Sequence, residues 1–463
     1  MNTHALQVKA FGKPKLQDTV SLRLDARAMG SEATSKAFQG PSSTPASAPA
    51  HARRVLEFFS GIGGLHYALA RSGVSCFEVL RAFDLDDAAV RTYRHNHPGT
   101  PVSTANIGSL KSAELVALAG DCWLLSPPCQ PYTRQGLQLG IADGRSSALT
   151  HLVDLLERAG GEGEGEGEGE GEGEGEGEGE GVAAADGAPL LPDSLLLENV
   201  VGFESSPMRQ RLHAVLVARG YHVREVWASP AHFGVPNQRT RYFLLASRVG
   251  ELQAPPPPPI AALLLDPATL EKACVMGVPL EPPHGEVDAE TQQACAPLAD
   301  YLLPAPAPAD APTAPVAPVE EAAAAAAGDT ACCVDCCAVA EHILERYGAA
   351  MDLVCRTSRR STCFTKNYSR YIKGTGSVVC EAVDPGAALP DHEDKCLEVL
   401  RPLKPRFFAP REVANLHGFP AEFAFPKEVS RKKQYELLGN SLSVQVVAEL
   451  LRYLLGGGAR TKP

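Results

Sequence analysis

Short apolar runs recur along this chain, and each ends at a turn residue or an acid. Val55-Leu56-Glu57-Phe58-Phe59 reads as a strand, the glycines at 61, 63 and 64 as a turn, and Leu65 to Arg71 as the start of a helix. A second apolar run closes at Phe83-Asp84, about twenty residues on. Cys122-Trp123-Leu124-Leu125 is short and wholly apolar, which suits a strand buried on both faces. Leu195-Leu196-Leu197 and Tyr242-Phe243-Leu244-Leu245 read as two more strands, and Val444 to Leu455 as a helix. Strands alternating with helix-length spacers predict an α/β fold, with a mostly parallel sheet and helices on both faces.

Composition divides the chain. Residues 1–52 are rich in Ala, Ser and Thr and read as a disordered extension. Asp18, Asp25 and Glu32 argue against an organelle transit peptide there, so a cytoplasmic or nuclear protein is expected. Residues 53–250 form the expected catalytic domain. From Gly161 to Gly181 Gly and Glu alternate without a break, inside a loop expected over 160–187. Without the ten glutamates of that tract the net charge would move from −12 to −2, so the acidity belongs to one insert and does not oppose a polyanionic partner. Residues 251–405 are expected to form a smaller domain with a Pro/Ala-rich insert over 304–330. Residues 406–456 return to complete the first domain, and 457–463 are a tail. No apolar run approaches the roughly 18 residues of a membrane span, and no membrane partner is expected. A monomer is expected. Cys332-Cys333-Val334-Asp335-Cys336-Cys337 contains one knuckle spacing, but Cys355 and Cys363 are too far apart to supply the second, so no metal is expected.

Several residues carry chemistry. In Ser126-Pro127-Pro128-Cys129-Gln130-Pro131 the prolines forbid a helix, so the Cys129 thiol sits on a stiff loop at the end of a strand. Alone, such a cysteine is more readily a structural turn residue. Asp84 stands where nucleotide-binding folds place a ribose-binding acid, although capping a helix is its competing role. Glu198 follows a buried run and reads as a strand-end acid beside the Cys129 loop. Arg239 and Arg241 alternate along a strand and so share a face; their planar forks suit a pyrimidine O2 or a phosphate, or a surface ion pair. Between Arg356 and Lys373 lie six cations and no acid, interleaved with Phe364, Tyr368 and Tyr371, a pattern that fits phosphate neutralisation with base stacking.

Taken in order, the Val55–Leu65 block, Asp84, the Pro-Pro-Cys129 loop, Glu198-Asn199-Val200, Gln238-Arg239-Thr240-Arg241, Arg411 to Pro420 and Leu438-Gly439-Asn440-Ser441 resemble the motif series of the cytosine-5 methyltransferases. Tyr132-Thr133-Arg134 after the cysteine, and Cys363-Phe364-Thr365-Lys366-Asn367-Tyr368 before Gly374-Thr375-Gly376-Ser377, resemble the branch that methylates cytosine 38 in the anticodon loop of aspartate tRNA. Asn367 stands where that branch usually has glycine. The resemblance covers roughly residues 53–250 and 350–456.

The resemblance implies a Rossmann-like S-adenosylmethionine-dependent methyltransferase sheet with a smaller target-recognition domain. It implies S-adenosyl-L-methionine as cofactor, held by Ser60, Ile62, Gly63, Gly64, Asp84, Leu85, Ile107, Gly108, Ser126, Asn440 and Ser441, with Asn440 and Ser441 expected to cap the last helix. Cys129 would add to cytosine C6, Glu198 would hydrogen-bond N3, and Arg239 and Arg241 would assist. Arg359, Arg360, Cys363, Phe364, Thr365, Lys366, Tyr368, Arg370 and Lys373 would meet the nucleic acid. The expected partner is tRNA, that of aspartate; the rivals are a DNA cytosine-5 methyltransferase and a silent nucleic-acid-binding protein on the same fold.

Overall fold

The computed structural model describes residues 52–128, 147–159, 191–250, 252, 254–276, 287–304, 334–383, 387–391 and 394–456. The N-terminal extension, the Gly-Glu tract and nearly all of the Pro/Ala insert lie outside them, as do Cys332 and Cys333. Residues 51–463 form one compact unit.

Seven strands make the main sheet: β1 (Arg53–Phe58), β2 (Phe77–Phe83), β3 (Val102–Ser103), β4 (Cys122–Leu125), β5 (Ser194–Val200), β6 (His222–Ala228) and β7 (Arg241–Ser247). Their order is β3-β2-β1-β4-β5-β7-β6. The first five run parallel, and β7 lies antiparallel between β5 and β6. Reversal of strand order on either side of β1 and β4 opens a crevice at the carboxyl ends of these strands, where α/β sheets take their ligands. Among the described residues, Ser60, Asp84, Ser126 and Glu198 fall at that edge or just beyond it.

Alternation along the strands builds two cores. Val55, Cys122, Leu124, Leu196, Phe243 and Leu245 face one side, packed against α1 (Gly64–Ser72) and the helix Val444–Leu455. Leu56, Phe58, Trp123, Leu125, Leu195, Leu197 and Leu244 face the other, with α4 (Ser147–Arg158) and α5 (Pro207–Ala218), the helices α2 (Asp87–Asn96) and α3 (Ser112–Leu118) lying between in sequence. Arg53 on β1 donates to the Leu455 carbonyl at 3.2 Å, fixing the C-terminal helix beside the first strand across the whole length of the chain. A second sheet of three strands, in the order β10-β9-β8, comprises β8 (Leu353–Val354), β9 (Val378–Cys380) and β10 (Pro405–Phe407). Its edge strand β10 comes from where the sequence places the return to the catalytic domain. Arg406 on β10 is buried against both Glu381 and Glu412, clamping this sheet to the helix Pro410–Leu416.

β1 ends one residue before the sequence suggested, because Phe59 adopts a left-handed conformation with φ +59°. One position of β1 breaks the apolar pattern. Glu57 is fully buried beneath the glycine turn, accepts from Tyr93 Oη at 3.2 Å, and lies 3.6 Å from His66 Nδ1. Burial holds its carboxyl up to about 8, from a usual 4.5. The unfolded chain ionises above 4.5 while the folded chain keeps the proton. The stability contributed by the neutral form is therefore complete below 4.5 and lost as pH rises to about 8, at about 1.4 kcal/mol per pH unit. Glu57→Gln, which cannot ionise, should gain on wild type by on the order of 3 kcal/mol between pH 5 and pH 8 in urea unfolding. An unchanging difference across that range would show that Glu57 does not carry the proton.

Candidate active site

The crevice has a cofactor-sized side at the ends of β1, β2 and β4. Ser60 N donates to the Phe83 carbonyl at 2.9 Å, and Ser126 Oγ donates to the Phe59 carbonyl at 2.8 Å, so three strand ends are tied into one rim. Gly61 and Gly63 hold φ of +54° and +89°, conformations that a side chain at either position would strain. Asp84 accepts from Gly61 N and from Asp86 N, each at 2.8 Å. Asp84 thus props the glycine turn rather than capping a helix; Asp86 caps α2 and takes an ion pair from Lys433 at 2.6 Å. Burial raises the Asp84 carboxyl against the backbone donors that lower it.

Three observations fit this rim to S-adenosylmethionine. The first turn of α1 has no side-chain cap, leaving its N–H groups to an anionic ligand. The buried Ser60 Oγ has no hydrogen-bond partner among the described residues. Leu85, beside Asp84, is 61% exposed, an apolar surface suited to a purine face. Two expected contacts are corrected in kind. The Ile62 and Ile107 side chains are core residues, 1% and 3% exposed, so these positions could offer a ligand only their backbone. Gly108 N is occupied by Asn106 Oδ1 at 3.0 Å.

Asn440 and Ser441 do not cap the last helix. Asn440 ends the helix Arg431–Asn440, Ser441 follows it, and Ser443 caps Val444–Leu455. Ser441 nevertheless reaches the cofactor side: a Cβ added at Gly64 would lie 3.2 Å from its Oγ.

The other side of the crevice carries the acid and the arginines. Glu198 shares the face of Leu196 on β5, and Arg241 that of Phe243 on β7. Arg241 Nε lies 3.4 Å from Glu198 Oε1. Burial raises the Glu198 carboxyl and outweighs Arg241 and Arg239, which lower it. Its neighbour Asn199 is buried, and its Nδ2 donates to the Pro127 carbonyl at 3.5 Å, binding the acid's strand to the base of the cysteine loop. Cys129 itself lies outside the described residues; the chain leads towards it from β4 through Pro127 and Pro128.

Arg239 departs from the sequence reading. It is 3% exposed, and its guanidinium donates to the carbonyls of Phe364 at 2.9 Å, Gly439 at 3.0 Å and Ser441. It is a tie between the Cys363 segment and the Gly439–Ser441 turn, with both Nη atoms engaged and Nε alone without a partner among the described residues. The same junction is tight at Gly439, where a Cβ would sit 2.1 Å from Lys366 N. Arg239→Ala would leave three carbonyls short of a charged donor and should destabilise the fold by about 3 kcal/mol or more. Urea unfolding reads this directly. S-adenosylmethionine affinity should fall with it through Ser441, and a wild-type midpoint would contradict the structural role.

Cys363 also moves from its expected place. Its Sγ lies 3.4 Å from Arg239 Nη1 and 3.8 Å from Arg241 Nη2, so it lines the catalytic crevice rather than an outer nucleic-acid face. Burial pushes its thiol up, but the two guanidiniums outweigh that and leave it below the ordinary range. Phe364 and Tyr368 are corrected too: at 1% and 3% exposure they are core, Phe364 edge-on to Phe408 and Tyr368 donating to the Ser377 carbonyl. They cannot stack on a base. Thr365 is half-buried and hydrogen-bonded through its backbone to Thr375. Arg360 pairs with Asp352 at 2.8 Å, and Arg359 is exposed while donating to the Cys295 carbonyl. Lys366, Arg370 and Lys373 are exposed and have no acidic partner among the described residues. Asn367 has a negative φ, and the left-handed residue of this loop is Ser369, so asparagine fits where glycine was expected.

No group of three or more His, Cys, Asp or Glu among the described residues could hold a metal ion, and no described helix is long and apolar enough to cross a membrane.

Comparison with known proteins agrees with this geometry. The family of C-5 cytosine-specific DNA methylases matches residues 53–160 and 342–455. The chain is similar to a mouse tRNA (cytosine(38)-C(5))-methyltransferase, 36% identical, with 87% of this chain and 94% of that one aligned. It is 31% identical to a Dictyostelium discoideum DNA (cytosine-5)-methyltransferase, again over 87% and 94%. The crystal structure of the S. pombe Dnmt2 methyltransferase superposes with a TM-score of 0.58 at 27% identity, covering 87% of this chain and 98% of that one. The chain therefore belongs to the C-5 cytosine methyltransferase family, in the branch of the tRNA (cytosine(38)-C(5))-methyltransferases.

Proposed function

We propose that the protein is an S-adenosylmethionine-dependent tRNA (cytosine-5-)-methyltransferase that modifies cytosine 38 of aspartate tRNA through a covalent bond from Cys129 to C6. The observation that carries the reading is Glu198: a buried carboxyl, pushed above its ordinary range by burial, near the end of the strand beside the one that leads to Pro127-Pro128-Cys129. Cytosine C5 is a poor nucleophile while the ring is aromatic. Addition of the Cys129 thiolate to C6 removes that aromaticity and places electron density on C5. Glu198 supplies a proton to N3 as negative charge develops there, and Arg241 orients the carboxyl and adds positive potential. S-adenosylmethionine, when bound, supplies an electrophilic methyl group. Loss of the C5 proton to water then breaks the C6–S bond, the electron pair leaving with Cys129 as thiolate, and N3 returns its proton to Glu198.

Ser60, the open turn of α1, Asp84, Leu85 and Ser441 would hold that cofactor across the sheet edge from Glu198. A tRNA substrate is supported by the relatives that carry this name and by the exposed cations Arg359, Lys366, Arg370 and Lys373. The deciding experiment incubates purified protein and methyl-labelled S-adenosylmethionine with either an unmodified aspartate tRNA transcript or duplex DNA. Label on the tRNA at cytosine 38 supports the reading. Label on DNA alone, or on neither, defeats it.

A further inference from the structure

Burial of Phe364 and Tyr368 leaves the cationic strip with one aromatic side chain in solvent. Tyr371 is 53% exposed, and the Arg370 guanidinium lies over its ring, 5.3 Å from the centroid. Lys366 and Lys373 stand exposed on either side of it in sequence. The backbone beneath is well fixed. Tyr371 N donates to the Asn367 carbonyl at 3.1 Å, and Thr375 Oγ1 donates to the Tyr371 carbonyl at 2.6 Å. The left-handed residues Ser369 and Gly374 close the turn on both sides. At its inner end the same segment touches Arg239 and Arg241 through Cys363, and packs its Thr365–Lys366 backbone on Gly439. A large aromatic ring held in solvent on a rigid turn has no packing role to account for it. Beside three cations with no acidic partner among the described residues, it has the make-up of a base-stacking platform on a phosphate-binding surface.

We propose that Tyr371, backed by Arg370, stacks on an unpaired base of the tRNA anticodon loop and so fixes how that loop enters the crevice. The inference rests on the tRNA reading above. Stacking uses the face of the ring and none of its hydroxyl chemistry, so Phe and Trp should replace Tyr and Ala should not. It also neutralises no phosphate, so it should leave salt dependence alone, unlike its cationic neighbours.

The test compares Tyr371→Ala, Tyr371→Phe, Tyr371→Trp and Arg370→Ala for binding to an unmodified aspartate tRNA transcript over a salt series, with S-adenosylmethionine binding as the check on folding. Tyr371→Ala should weaken tRNA binding by about tenfold at an unchanged salt slope and unchanged cofactor affinity, and Phe and Trp should hold near wild type. Arg370→Ala should flatten the slope. Both native tryptophans, Trp123 and Trp227, are buried at 1% and 5% exposure, so a tryptophan at 371 would be the exposed reporter. Its fluorescence should be quenched when tRNA binds. Wild-type affinity in Tyr371→Ala, or an unquenched Tyr371→Trp in a formed complex, would overturn the platform while leaving the tRNA reading intact. Failure of the wild-type protein to bind tRNA at all would overturn both.

Discussion

Cys129→Ala is expected to abolish methyl transfer, by about 10⁴-fold or more, while leaving S-adenosylmethionine affinity near wild type. The separation follows from where the groups sit. Everything that would hold the cofactor belongs to the ends of β1, β2 and β4 and to the turn at Ser441, and is fixed by contacts that do not involve Cys129. The thiol is needed only to break the aromaticity of the pyrimidine. Cys363 is the nearest competitor, since Arg239 and Arg241 hold its thiol below the ordinary range. It is nevertheless engaged by both guanidiniums and carried on the segment that packs against Gly439. Single-turnover transfer of labelled methyl to the tRNA measures the loss. Wild type should also trap a tRNA carrying 5-fluorocytosine at the target as a covalent adduct, because fluorine cannot depart as a cation. Substantial transfer by Cys129→Ala, or a trapped adduct in that variant, would move the nucleophile to Cys363.

The sheet was legible because its strands are short, apolar and bounded by turn residues, and because helix-length spacers fix their parallel sense. The antiparallel insertion of β7 between β5 and β6 was not, since nothing in Tyr242–Leu245 marks strand direction. Where a strand end dictates position, as for Asp84, Ser126 and Glu198, the sequence pattern already puts the residue at the carboxyl edge of the sheet. Legibility failed where a side chain's partners lie far off in sequence. Arg239 looks like a ligand fork from its neighbours, yet its partners are the carbonyls of Phe364, Gly439 and Ser441, about 125 to 202 residues away. Phe364 and Tyr368 share the spacing of a stacking motif with Tyr371, and only packing against Phe407, Phe408 and Tyr435 tells them apart. Asn199, passed over as part of a motif, is the bond between the acid's strand and the cysteine loop. The helix-capping role that competed for Asp84 falls to Asp86, two residues on.

Glu198→Gln should bind cofactor and tRNA yet turn over about 10² to 10³-fold more slowly, since an amide cannot pass a proton to N3. The environment also sets a pH signature. Burial raises this carboxyl above its ordinary value in the folded protein, against the pull of Arg241 and Arg239. A carboxyl so raised keeps its proton as pH climbs past the range where the unfolded chain ionises, and loses it only on passing the folded value. Its catalytic form is thus complete at low pH and lost with rising pH, giving the alkaline limb of the kcat profile. Glu198→Gln should remove that alkaline limb. Removing the guanidinium at 3.4 Å, as in Arg241→Met, relieves the opposing pull and should shift the alkaline limb to higher pH. An alkaline limb that persists unchanged in Glu198→Gln would assign the proton to another group. An acid limb that moves up in Arg241→Met, in place of any shift of the alkaline limb, would mean that the carboxylate, and not the acid, is the working form.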